Sequence, residues 1–245
     1  GRYLQMGKMI CNCDSCHNKL CARQISIFSS LDDQQLMRIA DLIIHKGYKK
    51  GELLIFEGES VNSLFIINKG QTKAFRNTQD GREQILYLFS EGDFFGERSL
   101  LRDEVSNYSV EALEETHICL IHKHDFQVLL KEHPDIALKI MEELCRRLDR
   151  LENTVETMGT RTVEARVSSV LLEFADKYGK PHPRGIMIEL PLSREGIANY
   201  IGLTRETVSR KMSLLQDEGV IEMNGNKKVL LLDRSALERA ADRAS

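Results

Sequence analysis

Between Tyr48 and Lys123 the chain is a succession of short apolar runs separated by turn signals at Gly51, Gly58, Lys69-Gly70, Asp80-Gly81 and Gly92-Asp93. Runs so short, bounded by residues that tolerate left-handed backbone, cannot make long helices and suit antiparallel strands. Leu64-Phe-Ile-Ile67 and the run from Gln84 to Phe89 are rich in the β-branched and aromatic side chains that pack on a pleated surface. Asp80-Gly81, between Lys73–Arg76 and Ile85-Leu86, suits a two-residue type I′ hairpin. The region is therefore predicted to be a small antiparallel barrel or sandwich, in a domain of residues 25–133. Ahead of the strands, Ser30 to Asp33 supplies N-cap candidates for a helix with Leu36, Ile39, Ala40 and Ile43 at helical spacing.

After Pro134 a different period takes over. Met141, Leu144, Leu148, Leu151, Val155 and Met158 step by 3, 4, 3, 4 and 3, the alternation of a coiled-coil seam. Residues 134–159 are predicted to be one helix whose seam pairs with a second copy of the chain. The competing reading is an amphipathic helix lying on its own domain, since Arg146, Arg147, Asp149, Arg150, Glu152 and Glu156 flank the stripe as exposed-type residues. Gly159-Thr160 ends the run as the expected hinge. Residues 160–245 form a further domain: a helix from Val163 to Tyr178, a connector from Gly179 to Gly185, helices after Ser193 and Thr204, and a β-hairpin turned on Asn224-Gly225.

The charge is uneven. Residues 1–159 hold 20 Lys and Arg against 25 Asp and Glu, and residues 160–245 hold 14 against 12, so the more basic end is the C-terminal one. No window carries the roughly 18 consecutive apolar residues of a membrane span, and the N-terminal residues lack an apolar signal core. A cytoplasmic protein without a membrane partner is expected. No Ser-His-Asp order, phosphate-binding glycine loop, dinucleotide fingerprint or paired carboxylates stand out, so enzyme chemistry is not expected.

The two short helices joined by Ile201-Gly202-Leu203 fit a helix-turn-helix, with Ala198, Gly202 and Val208 at its small, turn and buried positions. Val208, Met212 and Leu215 then face inward, which leaves Arg205, Glu206, Ser209 and Arg210 on the outward face near the end that enters a major groove. Arginine can donate two bonds to guanine, glutamate can accept from cytosine, and serine can meet several base edges. Thr204 caps this helix. Lys211, Lys227 and Lys228 are candidates for phosphate contacts. The bland alternative is a solvated charged face.

A β-barrel, a long helix and a C-terminal winged helix-turn-helix with Thr204-Arg-Glu-Thr-Val-Ser-Arg210 resemble the CRP/FNR superfamily of bacterial transcription regulators over essentially the whole chain. The resemblance implies an α+β fold: an N-terminal antiparallel β-barrel of the cyclic-nucleotide-binding kind, a long dimerisation helix and a winged helix-turn-helix. It also implies a homodimer on a double-stranded DNA palindrome, with RNA polymerase as a partner. Glu206, Ser209 and Arg210 match the E-x-x-S-R of FNR-type members, and Arg205-Glu206 with Arg210 matches the R-E-x-x-x-R of CRP-type members. The operator is left open by this hybrid.

Cyclic-nucleotide sensors of the superfamily place a Gly-Glu on the barrel and, about ten residues on, an Arg-Ser/Thr pair against the cyclic phosphate. Gly96-Glu97 is present, but the later segment is Ser106-Asn107-Tyr108-Ser109 without arginine, and Arg98 and Arg102 are out of pattern. An uncompensated phosphate inside a barrel is costly, so cAMP is not expected.

Cysteine usage points elsewhere. Cys11, Cys13, Cys16 and Cys21 fall within eleven residues, and Cys119 stands far downstream. Clustered thiolates and one distant thiolate can hold an iron-sulfur cluster. FNR-type oxygen sensors resemble this arrangement, with the barrel cysteine in a similar Ala-Leu-Glu context, here Ala112-Leu-Glu114. The resemblance implies Cys13, Cys16, Cys21 and Cys119 as ligands of a 4Fe-4S cluster, with Cys11 as the alternative first ligand. Three rivals use overlapping residues: zinc on Cys11, Cys13, Cys16 and Cys21, with or without His17; a thiol–disulfide switch between the N-terminal cluster and Cys119 or Cys145; or Cys119 and Cys145 each as a buried small hydrophobe, while a separate reading has an effector bound directly by the barrel. Cys145, beside Leu144, reads as a buried small hydrophobe. His117, His122 and His124 leave haem as a remote option and read as polar surface.

Overall fold

A computed structural model of the chain describes residues 25–102, 104–160 and 162–242, the side chains of Ser99 and of residues 157–160 excepted. The predicted roles of Cys11, Cys13, Cys16, Cys21, His17 and the Met158 side chain lie outside the described residues. The chain divides into two compact units, one running to Arg76 and resuming over Leu86–Arg146, the other made of Asn77–Ile85 with Arg147 onward.

The first unit opens with a 3-10 turn at Ser26–Phe28 and helix α1, Asp33–Leu42. Asp32 begins α1 with a reciprocal cap: its carboxylate accepts from the Gln35 amide, and the Gln35 side chain accepts from the Asp32 amide, both at 2.9 Å. Strands β1 (Ile44–Tyr48), β2 (Leu53–Ile55), β3 (Ser63–Lys69), β4 (Thr72–Asn77), β5 (Glu83–Phe89), β6 (Phe94–Phe95), β7 (Ser109–Ala112) and β8 (Thr116–His122) follow, with helix α2 at Glu97–Leu101 between β6 and β7. They make two four-stranded sheets, ordered β1-β8-β3-β6 and β2-β7-β4-β5.

Of the barrel or sandwich expected, the sheets form a jelly-roll-like sandwich and do not close into a barrel. Closure needs an unbroken hydrogen-bonded ring, whereas here the sheets meet through side chains, Phe65, Ile67, Phe95, Ile118 and Leu120 packing with Ala74, Val110 and Ala112. The opposite face of the first sheet is buried too: Leu64, Ile66, Cys119 and Ile121 pack with Ile25, Phe28, Leu36, Ile39, Phe126 and Ile136. Burial of both faces explains why β3 and β8 read as continuous apolar runs and do not alternate. The β4–β5 turn is also longer than the two-residue hairpin predicted. Residues 78–82 form it, closed by the Thr78 amide donating to the Arg82 carbonyl at 2.8 Å, with positive φ at Gly81.

Helix α3 (Lys123–Glu132) leads to α4, Pro134–Thr160, 27 residues long. Its sequence carries two stripes. Ile136 and Ile140 are buried in the layer that covers the first sheet, and Leu144 packs against the same cluster. Leu144, predicted in the seam, is half-buried and also touches this core. Leu138, Met141, Leu148, Leu151 and Val155 remain exposed, Val155 at 72%. Cys145, expected to be buried, is exposed among them, because it stands one position round the helix from the stripe that Leu144 completes.

In the second unit, α5 (Val163–Tyr178) starts at Thr162, whose hydroxyl accepts from the Ala165 amide at 3.1 Å. The connector after it is a hairpin: β9 (Gly179–His182) and β10 (Gly185–Glu189) pair, and with β11 (Ile221–Asn224) and β12 (Lys228–Leu231) they form one sheet ordered β11-β12-β10-β9. Pro181 hid this strand from sequence reasoning; it is tolerated because β9 is an edge. Helices α6 (Arg194–Ile201) and α7 (Arg205–Asp217) lie between β10 and β11, and α8 (Arg234–Ala241) closes the unit. Among the described residues no helix is long and apolar enough to cross a membrane.

Candidate nucleic-acid interface and cysteine site

Helices α6 and α7 are set by their ends. Ser193 caps α6 through the Gly196 amide at 3.1 Å, and Thr204 caps α7 through the Thr207 amide at 3.3 Å, the cap positions predicted. Between them Gly202 adopts left-handed backbone, φ 69° and ψ 42°, and the Leu203 amide donates back to the Ala198 carbonyl at 3.0 Å. That is the glycine-dependent helix stop the turn requires.

Val208, Met212 and Leu215 are buried, so the inward face of α7 is the predicted one. Arg205, Glu206 and Arg210 are exposed on the outward face with Ser209 half-buried beside them, and among the described residues none of the three charged side chains has an ion-pair partner. Charges left without partners on a capped helix N-terminus are available to base edges and phosphates. Lys211 is placed differently: its ammonium lies 3.9 Å from the Glu164 carboxylate, with the side chain 23% exposed. Lys227 and Lys228 are exposed at the β11–β12 turn. The wing is braced by a two-bond pair, Arg184 to Glu222 at 2.8 Å each, which holds the Glu222 carboxyl below the usual range.

In the sandwich unit, a cavity of about 80 Å³ is lined by Ile55, Val61, Gly96, Arg98, Glu104, Val105, Ser106, Asn107 and Tyr108. Arg98, out of pattern in the sequence, lines it. The space is small beside the roughly 300–1,000 Å³ of ordinary ligand pockets. Gly96 has φ 88°, and a Cβ there would stand 2.7 Å from the Ser63 carbonyl oxygen, so the strand-to-helix turn before Glu97 admits only glycine.

Cys119 is fully buried on the helix-covered face of the first sheet, not in the sandwich interior. His45, its register partner on β1, brings Nδ1 to 3.5 Å from Sγ, a neighbour sequence reasoning missed because it lies 74 residues away. Burial holds the His45 imidazole below its ordinary pKa. Ile25, the first described residue, is in the same cluster. Of the histidines near Cys119 in sequence, His117 approaches Glu115 at 3.5 Å and His122 approaches the Ser63 hydroxyl at 3.2 Å. Among the described residues no three metal-binding side chains converge.

Residues 45–133 match the cyclic nucleotide-binding domain and residues 165–240 the Crp-like helix-turn-helix domain. The chain is 31% identical, over 76% of its length and 89% of the relative, to the cAMP-activated global transcriptional regulator CRP of Pasteurella multocida. To the transcriptional activator protein FnrL of Cereibacter sphaeroides it is 27% identical over 94% of its length and 91% of the relative. The structure of FixK2 from Bradyrhizobium japonicum superposes with a TM-score of 0.73 at 26% identity, covering 83% of this chain and 99% of that one.

Proposed function

The chain belongs to the CRP/FNR family of DNA-binding transcription regulators, which are not enzymes, and we propose that it reads a palindromic operator as a homodimer through Arg205, Glu206, Ser209 and Arg210. The observation that carries this reading is the partner-free charged face on a capped α7. Thr204 fixes the helix start, Lys227 and Lys228 meet phosphates, and Lys211 supports the Glu164 side of the helix. The exposed Leu138, Met141, Leu148, Leu151 and Val155 are the seam for the second copy, which sets two α7 helices one DNA turn apart. RNA polymerase is the further partner, and the cell interior the setting. Selection of duplexes from a random library by the purified protein tests this; recovery of no two-fold motif would refute it.

The signal receptor in this reading is a 4Fe-4S cluster on Cys13, Cys16, Cys21 and Cys119. When bound, such a cluster supplies a centre that oxidants dismantle. Cys119 supports this reading with a thiol on the sheet face it shares with Ile25, the first described residue after the clustered cysteines. Its Sγ is covered by apolar side chains and His45, so ligation requires the covering residues to move aside. That coupling gives the leading segment a means of acting on the cluster formed with Ile136 and Ile140 of α4. The same burial favours a second reading: a zinc ion on Cys11, Cys13, Cys16 and Cys21 would leave Cys119 as it stands. Against cAMP, the Ser106-Asn107-Tyr108 segment that lines the cavity at Gly96 carries no arginine to meet a cyclic phosphate. Anaerobic purification with iron, sulfide and zinc analysis decides between them: equimolar iron and sulfide support the cluster, and zinc without sulfide refutes it.

A further inference from the structure

The last turn of α6, which leads directly into the recognition helix, is held at three consecutive residues by groups from outside the helix. The Asn199 carbonyl accepts from the Gln84 amide at 2.8 Å, and the Ile201 carbonyl accepts from the Arg166 guanidinium at 3.3 Å. Carbonyls in a final helical turn have no partner within the helix, so side chains that bond them fix where that turn points. Between them stands Tyr200, only 7% exposed. Its hydroxyl donates to Glu173 Oε1 at 2.9 Å, and its ring stacks on Phe174 with centroids 6.2 Å apart.

Glu173 in turn meets α4. Arg150 Nη2 lies 2.9 Å from the same Oε1, and the Arg150 guanidinium sits 4.8 Å from the Tyr200 ring centroid. Each of the three side chains therefore contacts the other two, and each comes from a different helix. Partial burial pushes the Glu173 carboxyl up, while Arg150 and Lys177 pull it down. The net shift of Glu173 is upward, and Arg150 is the first of the two cations that oppose it. Around α4, Arg150 projects about 140–200° from Met141, Leu148 and Val155, so the helix shows the proposed seam on one side and this cluster on the other.

We propose that Arg150, Glu173 and Tyr200 are positioning residues that latch α4 to α6 and so set the angle at which α7 is offered to DNA. The proposal rests on the DNA reading above, and names the contact through which a change at the α4 seam reaches the recognition helix. The three contacts join the helices in a closed triangle, so loss of any one corner leaves a single contact where there were three.

The test uses the full chain in four forms: Arg150→Glu, Glu173→Arg, the charge-swapped double variant, and Tyr200→Phe. Without DNA, native-state amide exchange is followed in peptides spanning residues 147–156 and 196–203. Each single charge reversal is expected to speed exchange in both peptides by about tenfold, and the double swap to return most of the protection. Tyr200→Phe, which keeps the ring stack and the fold, is expected to give a smaller change of about threefold. In a second arm, affinity is measured for a duplex selected by the wild-type protein and for a scrambled duplex of equal length. The single reversals should lower selected-duplex affinity about tenfold, leave scrambled-duplex affinity unchanged, and be rescued in the double variant. Unchanged exchange in all single variants, or a double variant as unprotected as the singles, overturns the latch even where operator binding is normal. Failure of the wild-type protein to select any duplex overturns the DNA reading instead, whatever the exchange data show.

Discussion

Replacement of Cys119 separates its packing role from its proposed ligand role. The thiol is fully buried among Leu64, Ile66, Ile121, Phe28 and Phe126, and the near polar atom is His45 Nδ1 at 3.5 Å from Sγ. A serine hydroxyl there stands on a shorter bond than the sulfur does and farther from His45, and it is the more strongly hydrated group to bring into this apolar layer. Burying a hydroxyl among apolar side chains costs about 1–3 kcal/mol, so Cys119→Ser should destabilise the metal-free sandwich unit by about 2 kcal/mol. Cys119→Ala loses only the sulfur's contacts, about 1 kcal/mol. At roughly 4 °C per kcal/mol for a unit of this size, the serine variant melts roughly 8 °C below wild type and the alanine variant roughly 4 °C below. Calorimetry of metal-free protein under reducing conditions gives this order, and anaerobic iron and sulfide analysis of both variants gives the second half of the answer. A serine variant that melts above the alanine variant would refute the apolar account of the site. Full iron and sulfide in both would remove Cys119 from the ligand set.

Other expectations are narrower. Arg210→Ala should lower affinity for a selected duplex by 1–3 kcal/mol, roughly 5- to 150-fold, and flatten discrimination at one base position; equal losses on scrambled DNA would reassign it to phosphate. Thr204→Ala removes the side-chain cap of the recognition helix and should cost about 1 kcal/mol, with Thr204→Ser close to wild type, as read by urea unfolding of the C-terminal unit. Leu148→Glu sets like charges against each other across a two-fold seam and should shift sedimentation from dimer to monomer, with operator affinity falling together with it; a variant that stays dimeric would move the seam elsewhere.

Local chemistry made much of this molecule readable from its residues. Ser193, Gly202 and Thr204 have short-range roles as caps and turn, and the structure finds each in that role. The β-strand runs were visible for the same reason, but not whether the sheets close, because that depends on pairing between residues far apart. The strand at Gly179–His182 was hidden by Pro181, whose tolerance follows from its place on an edge. In α4 a helical period near 3.5 served two stripes at once, and only packing distinguishes Leu144, against the core, from Leu148, which is exposed. His45 beside Cys119, Arg98 at the cavity and the meeting of Arg150 with Tyr200 are products of tertiary contact, and no spacing rule announces them.

The edge strand β9 bears on crowding. Its sequence, Gly179-Lys-Pro-His182, is followed at once by Pro183, so two of five successive residues lack an amide hydrogen and a third carries a solvated charge. A foreign strand seeking to extend the wing sheet finds a poor template there. For regulators gathered side by side on neighbouring sites, accidental sheet-to-sheet adhesion at this edge of the wing is disfavoured.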